Sequence, residues 1–126
     1  MDVESIREYC LSFPEATENL QWGDDLCFKV RGKIFVVVGL GKVPQQVCFK
    51  VSPELFVELV EQEDISPAPY LARYKWVLLE HLDALKTLQL KDLIRQAYEM
   101  VVANTPNKKV RKASSAARVK TKSKRK

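Results

Sequence analysis

The sequence predicts an α+β fold, with helices packed on one face of a single antiparallel β-sheet. Three observations lead there. Apolar residues recur at helical spacing at the beginning and end of the first 106 residues. Between them the period switches to two, as half-buried strands require. Short turn-forming groups separate the alternating runs, which suits hairpins rather than long crossovers.

Each element has its own justification. Val3, Ile6, Cys10 and Phe13 form one apolar stripe beside Glu4, Arg7 and Glu8, predicting a helix over 2–13 that Pro14 stops. Asn19–Trp22 reads as a short strand before Gly23. Leu26, Phe28 and Val30 alternate with Cys27, Lys29 and Arg31, and Arg31-Gly32 forms a tight turn because glycine tolerates positive φ. Lys33–Val38 is β-branched and apolar on both faces, the mark of a central strand. After the longer connection Gly39–Pro44, Val47, Phe49 and Val51 alternate with Gln46, Cys48 and Lys50 in another strand.

Ser52-Pro53-Glu54 opens a helix: serine caps, proline suits the first position, and the acid favours the positive end. That helix is expected to end near Gln62 or Glu63. Asp64–Tyr74 holds Pro67 and Pro69 and reads as a structured loop. Lys75–Leu79 is a last strand. Leu90, Leu93, Ile94, Ala97, Tyr98, Val101 and Val102 give a long apolar face on a helix over 87–104, which Thr105-Pro106-Asn107 ends.

With 126 residues, the chain has room for one domain. Its 46% hydrophobic and 29% charged residues suit a globular protein. No run approaches the ~20 apolar residues of a membrane span. Residues 1–5 lack a basic flank and an apolar core, so no signal peptide is visible and a cytoplasmic location is expected. Cys10, Cys27 and Cys48 are odd in number and lack CxxC spacing, which fits free buried thiols rather than a disulfide framework or structural zinc.

The net charge of +5 divides sharply. Ten of the 21 basic residues, beginning with Lys108, Lys109, Arg111 and Lys112, lie in 108–126, where there is no acid. The preceding 107 residues therefore set 11 basic against 16 acidic side chains, a net of −5. Two units follow: a compact acidic domain over 1–106, and a basic extension over 107–126 too poor in large apolar residues to offset its chain entropy.

No reaction centre emerges. His81 is the one histidine, and no nucleophile or orienting group can be placed beside it. There is no GxSxG, HExxH, Walker A or GxGxxG sequence. Gly39-Leu40-Gly41 lacks the third glycine and following helix of a phosphate loop. Glu4 with Glu8, and Glu61 with Glu63 and Asp64, fit solvated helix faces better than a cation site. No enzyme, cofactor or metal is expected.

The remaining candidates are cationic. Lys29, Arg31 and Lys33 flank the first tight turn, and Lys50 lies on a later strand. If the helices cover the Leu26/Phe28 and Val47/Phe49 face, then Lys29 and Lys50 point to the open side of the sheet. Arg73, Lys75 and Trp76 add two charges and a ring. Cations interleaved with aromatics suit nucleic acid, since charge tracks phosphate and rings stack on bases. The same residues also fit a solubilising surface, with Trp76 in the core.

Three blocks resemble the MmcQ/YjbR family: Leu26–Phe35 (LCFKVRGKIF), Pro67–Val77 (PAPYLARYKWV) and Leu93–Val101 (LIRQAYEMV). The resemblance covers about residues 1–106, with Ala97 where the family often has serine. It implies a CyaY (frataxin-like) sandwich and a "double wing" DNA-binding motif whose wings are β-hairpins. It singles out Lys29, Lys33, Arg73, Lys75 and Trp76. The resulting expectation is a monomeric, non-enzymatic DNA-binding protein, with RNA as a further possible ligand and the basic extension supplying most of the sequence-independent affinity. The alternatives are a protein- or small-ligand-binding module with an incidental basic tail and, borrowed from frataxin, a cation-binding acidic helix face.

Overall fold

The structure is a computed structural model and describes residues 1–69 and 71–104. Six strands, β1 (Ala16–Gln21), β2 (Asp25–Val30), β3 (Lys33–Gly39), β4 (Gln46–Lys50), β5 (Ile65–Pro67) and β6 (Trp76–Leu79), form one sheet in the order β1-β2-β3-β4-β6-β5. Every neighbouring pair is antiparallel. Three helices, α1 (Val3–Leu11), α2 (Pro53–Leu59) and α3 (Thr87–Ala103), pack on one face, and a 3-10 turn spans Ala72–Tyr74.

Local chemistry sets the helix starts. The Ser5 amide donates to Asp2 Oδ1 at 2.8 Å, capping α1. The Leu55 amide donates to Ser52 Oγ at 3.2 Å at the start of α2. The β2–β3 hairpin turns through Arg31 at φ 53° and Gly32 at φ 80°, the paired positive values of a type I′ turn.

The core lies between the sheet and its helices. Phe28, Val36, Val38, Val47, Phe49, Val77 and Leu79 meet Ile6 and Cys10 of α1, Leu59 of α2, and Leu90, Ile94 and Ala97 of α3. A β-bulge interrupts the alternation. Val36 lies opposite Phe28 but Ile34 lies opposite Lys29, so Phe35 is an extra residue in β3. Phe35 and Val36 are both fully buried in the core. The Phe35 ring sits edge-on to Phe13 at 6.2 Å and to Tyr98 of α3 at 5.3 Å, while Phe13 stacks on Tyr98 at 4.6 Å. Past the bulge, Ile34 shares Lys29's face, away from the helices.

Strand direction gives the molecule two ends. One carries the β1–β2 turn, the β3–β4 loop and the start of α3. The other carries the β2–β3 turn, the end of β4, the start of β6 and the end of α3.

Several expectations need correction. The loop expected over 64–74 contains the edge strand β5, which pairs with β6 through Ile65–Leu79 and Pro67–Val77. Proline is tolerated there because an edge strand has one unpaired side. Lys75 precedes β6 rather than beginning it: its φ of 67° closes the 3-10 turn, and its amide donates to the Ala72 carbonyl at 2.9 Å. The first strand begins at Ala16, three residues earlier than expected. The first two helices are shorter than expected, ending at Leu11 and Leu59.

Phe35→Ala removes the ring that joins β3 to Phe13 and Tyr98. Denaturant unfolding should show a loss of about 3–5 kcal/mol. Tyr98→Phe, which removes only the 2.7 Å hydrogen bond donated to the Pro14 carbonyl, should cost about 1 kcal/mol.

Candidate nucleic-acid interface

The helices cover the Phe28/Phe49 face, so the condition placing Lys29 and Lys50 on the open face is met. Lys29 lies opposite Ile34, and Lys50 lies opposite Trp76. At the α3 C-terminus, Lys33, Ile34, Lys50, Tyr74, Trp76, Val101 and Asn104 line a cleft of about 440 Å3. Its walls come from the beginning of β3, the end of β4, the approach to β6 and the last turn of α3.

Backbone hydrogen bonds hold these walls. The Val51 amide donates to the Lys75 carbonyl at 2.9 Å, and the Ala68 amide donates to the Trp76 carbonyl at 3.0 Å. The start of β6 is thereby tied to both neighbouring segments. Trp76 is only 9% exposed, so its ring is mostly packed and forms a fixed wall. Tyr74 is 52% exposed and has Arg73 beside it. The Arg73 guanidinium lies 5.1 Å from the Tyr74 ring centroid, and its Nη2 donates to the Tyr74 hydroxyl at 3.1 Å. The α3 C-terminus adds the negative end of a helix dipole, which favours cations such as Lys33 and Lys50.

The structure gathers some of the nominated residues and separates others. Lys33, Lys50 and Trp76 share the cleft, while Lys29 lies beside it on the open face and Arg73 stacks on its rim. Lys75 extends its ammonium over the Phe56 ring at 5.2 Å, toward α2. Arg31 pairs with Glu15 at 3.6 Å and does not line the cleft. Lys108, Lys109, Arg111 and Lys112 lie outside the described residues. Sequence reasoning missed Ile34, Tyr74, Val101 and Asn104. Tyr74 had a visible signal, being an aromatic residue between Arg73 and Lys75; Ile34 had none, because the bulge decides its face.

Other candidate chemistry stays dispersed. His81 Nε2 lies 3.2 Å from Asp64 Oδ2, bracing the β6 end against the segment before β5. Among the described residues, no three His, Cys, Asp or Glu side chains gather to hold a metal ion. Burial pushes the Cys10 and Cys48 thiols up to about 12, and raises that of Cys27 as well. Cys27 is buried despite lying on the face away from the helices, with its thiol directed toward the Asp25 carbonyl at 3.8 Å.

A family model described as YjbR matches residues 11–100. The chain is similar to the crystal structure of Deinococcus radiodurans protein DR2400, which carries a DUF419 domain. The TM-score is 0.78 at 25% identity, over 87% of this chain and 85% of that one. A protein from Pseudomonas syringae shares the fold at a TM-score of 0.66 and 18% identity, over 79% of this chain and 98% of that one. No curated protein matches the chain significantly.

The thiol environment predicts inert cysteines. At pH 8 the native chain should react with iodoacetamide at Cys10 and Cys48 about a hundredfold more slowly than free cysteine, and all three thiols should label in denaturant. Mass spectrometry showing rapid native labelling of Cys10 would contradict the packing described.

Proposed function

The chain belongs to the YjbR family, and from that premise and the cleft geometry we propose that it is a non-enzymatic DNA-binding protein. The observation that carries this reading is the gathering of Lys33, Lys50, Tyr74 and Trp76 at the end of α3. The basic segment of the sequence begins four residues after Asn104, which lines that same cleft. Among the described residues, Lys33 and Lys50 take part in none of the recorded ion pairs. Their charge is therefore available to a phosphate. Lys29 and Arg73 flank the site and extend the positive surface.

Part of the acidic body is remote from the cleft, while Glu15, Glu54 and Glu99 belong to its own end. Asp24 and Asp25 belong to the opposite end, beyond strands of six or seven residues. At ~3.3 Å per residue that separation is about 20 Å, or roughly two Debye lengths at 0.1 M salt. The hairpin that would act as a basic wing is β2–β3, whose turn lies between Lys29 and Lys33. The β1–β2 turn, with Asp24 and exposed Trp22, carries the wrong charge for that role.

On this reading the domain supplies orientation and local contacts, while the extension supplies Coulombic affinity through counterion release. Each phosphate neutralised on duplex DNA lowers the slope of log affinity against log salt by about 0.9. The ten cations of 108–126 set the upper limit. The rival reading, a module for a protein or small molecule, draws on the cleft's volume, which falls within the ~300–1,000 Å3 range of ligand pockets.

Anisotropy titrations from 50 to 300 mM salt separate the two readings. The full chain should bind duplex DNA with a steep salt dependence, and a chain ending at Asn107 should bind weakly with a shallow one. Equal affinity and slope for both chains would contradict the division of labour. No binding by the full chain in dilute buffer would contradict DNA binding itself.

A further inference from the structure

We infer that the cleft at the α3 C-terminus holds one unpaired nucleotide, with its base against Tyr74 and Trp76 and its phosphate on Lys33 and Lys50. This inference rests on the nucleic-acid reading and narrows it to single-stranded segments or frayed ends. A flat basic surface would suffice to track a duplex backbone. What the structure shows instead is a concave site of about 440 Å3 whose wall includes two aromatic side chains. A paired base is stacked inside its helix and presents no ring face to such a site, whereas an unpaired base can swing out and stack on a side chain.

The lining suits the two halves of a nucleotide. Ile34, Val101 and Trp76 give apolar walls, and Tyr74 gives an exposed ring. Arg73 fixes that ring through its position over one face and its hydrogen bond to the hydroxyl, so little ordering is left to occur on binding. Asn104, the C-cap of α3, completes the lining of the site. Lys33 and Lys50 supply two positive charges from adjacent strands.

The two tryptophans make the inference measurable. Trp76 lines the cleft, while Trp22 is 72% exposed in the β1–β2 turn at the opposite end. In the full chain carrying Trp22→Phe, fluorescence reports Trp76 alone. Titration with oligo-dT, blunt duplex DNA and deoxyadenosine monophosphate should quench this signal saturably with the first and the last, but not with the duplex. Adding Tyr74→Ala should weaken oligo-dT binding about tenfold and duplex binding by less, while Tyr74→Phe, which keeps the ring and loses only the hydrogen bond from Arg73, should weaken oligo-dT binding less than Tyr74→Ala does. Tyr74 is exposed, so loss of the fold is not the expected cause, and circular dichroism checks this directly.

Equal affinity for oligo-dT and duplex with an unresponsive Trp76 would overturn the inference while leaving DNA binding intact. Quenching by the mononucleotide without affinity for either polymer would overturn the DNA-binding proposal and support a nucleotide-sized cleft. Failure of all three ligands to bind would overturn both.

Discussion

The Phe13–Phe35–Tyr98 cluster is the contact on which the far end of the molecule depends. An ordinary alternation in β3 would bury only every second residue. The bulge at Phe35 instead puts two consecutive side chains, Phe35 and Val36, into the same core. Phe35 meets Tyr98 on α3 and Phe13 beyond α1, and so fixes the last turns of α3 over the sheet. The same slip of register turns Ile34 to the opposite face, beside Lys29. One packing event in the core therefore sets both the position of the α3 C-terminus and the identity of the residues around it.

The charge distribution follows the same axis. The β1–β2 turn and the start of α1 carry Asp2, Glu4, Asp24 and Asp25, while Lys29, Lys33 and Lys50 cluster toward the other end. A net charge summed over the whole chain conceals this polarity, because screening makes local fields the relevant ones. A polyanion approaching the end of α3 meets Lys33 and Lys50 with Tyr74 beside them; one approaching the β1–β2 turn meets Asp24 and Asp25.

Much of the fold was legible because binary patterning is a direct record of burial. Leu26/Phe28, Val47/Phe49 and the α3 stripe announced which face was inward, and the Ser52-Pro53-Glu54 cap announced α2. What stayed hidden depended on tertiary context. Ile65–Pro67 is too short and proline-bearing to read as a strand until β6 is there to pair with it. The bulge leaves no mark in Ile34-Phe35-Val36, where every residue is apolar. At the candidate site, Lys33, Lys50 and Trp76, singled out from the sequence on chemical grounds, line one cleft. Arg31 was nominated by its neighbours in sequence, but its turn geometry carries it to Glu15.

The account stands or falls on whether nucleic acid engages the domain at the α3 end rather than the basic segment alone. Amide chemical-shift mapping of the isotopically labelled full chain, titrated with a short DNA strand at low salt, tests this most directly. The account predicts saturable shifts at Lys29, Lys33, Ile34, Lys50, Tyr74, Trp76 and Asn104. Shifts confined to residues beyond Asn107, or centred on Trp22 and Asp24, would contradict it.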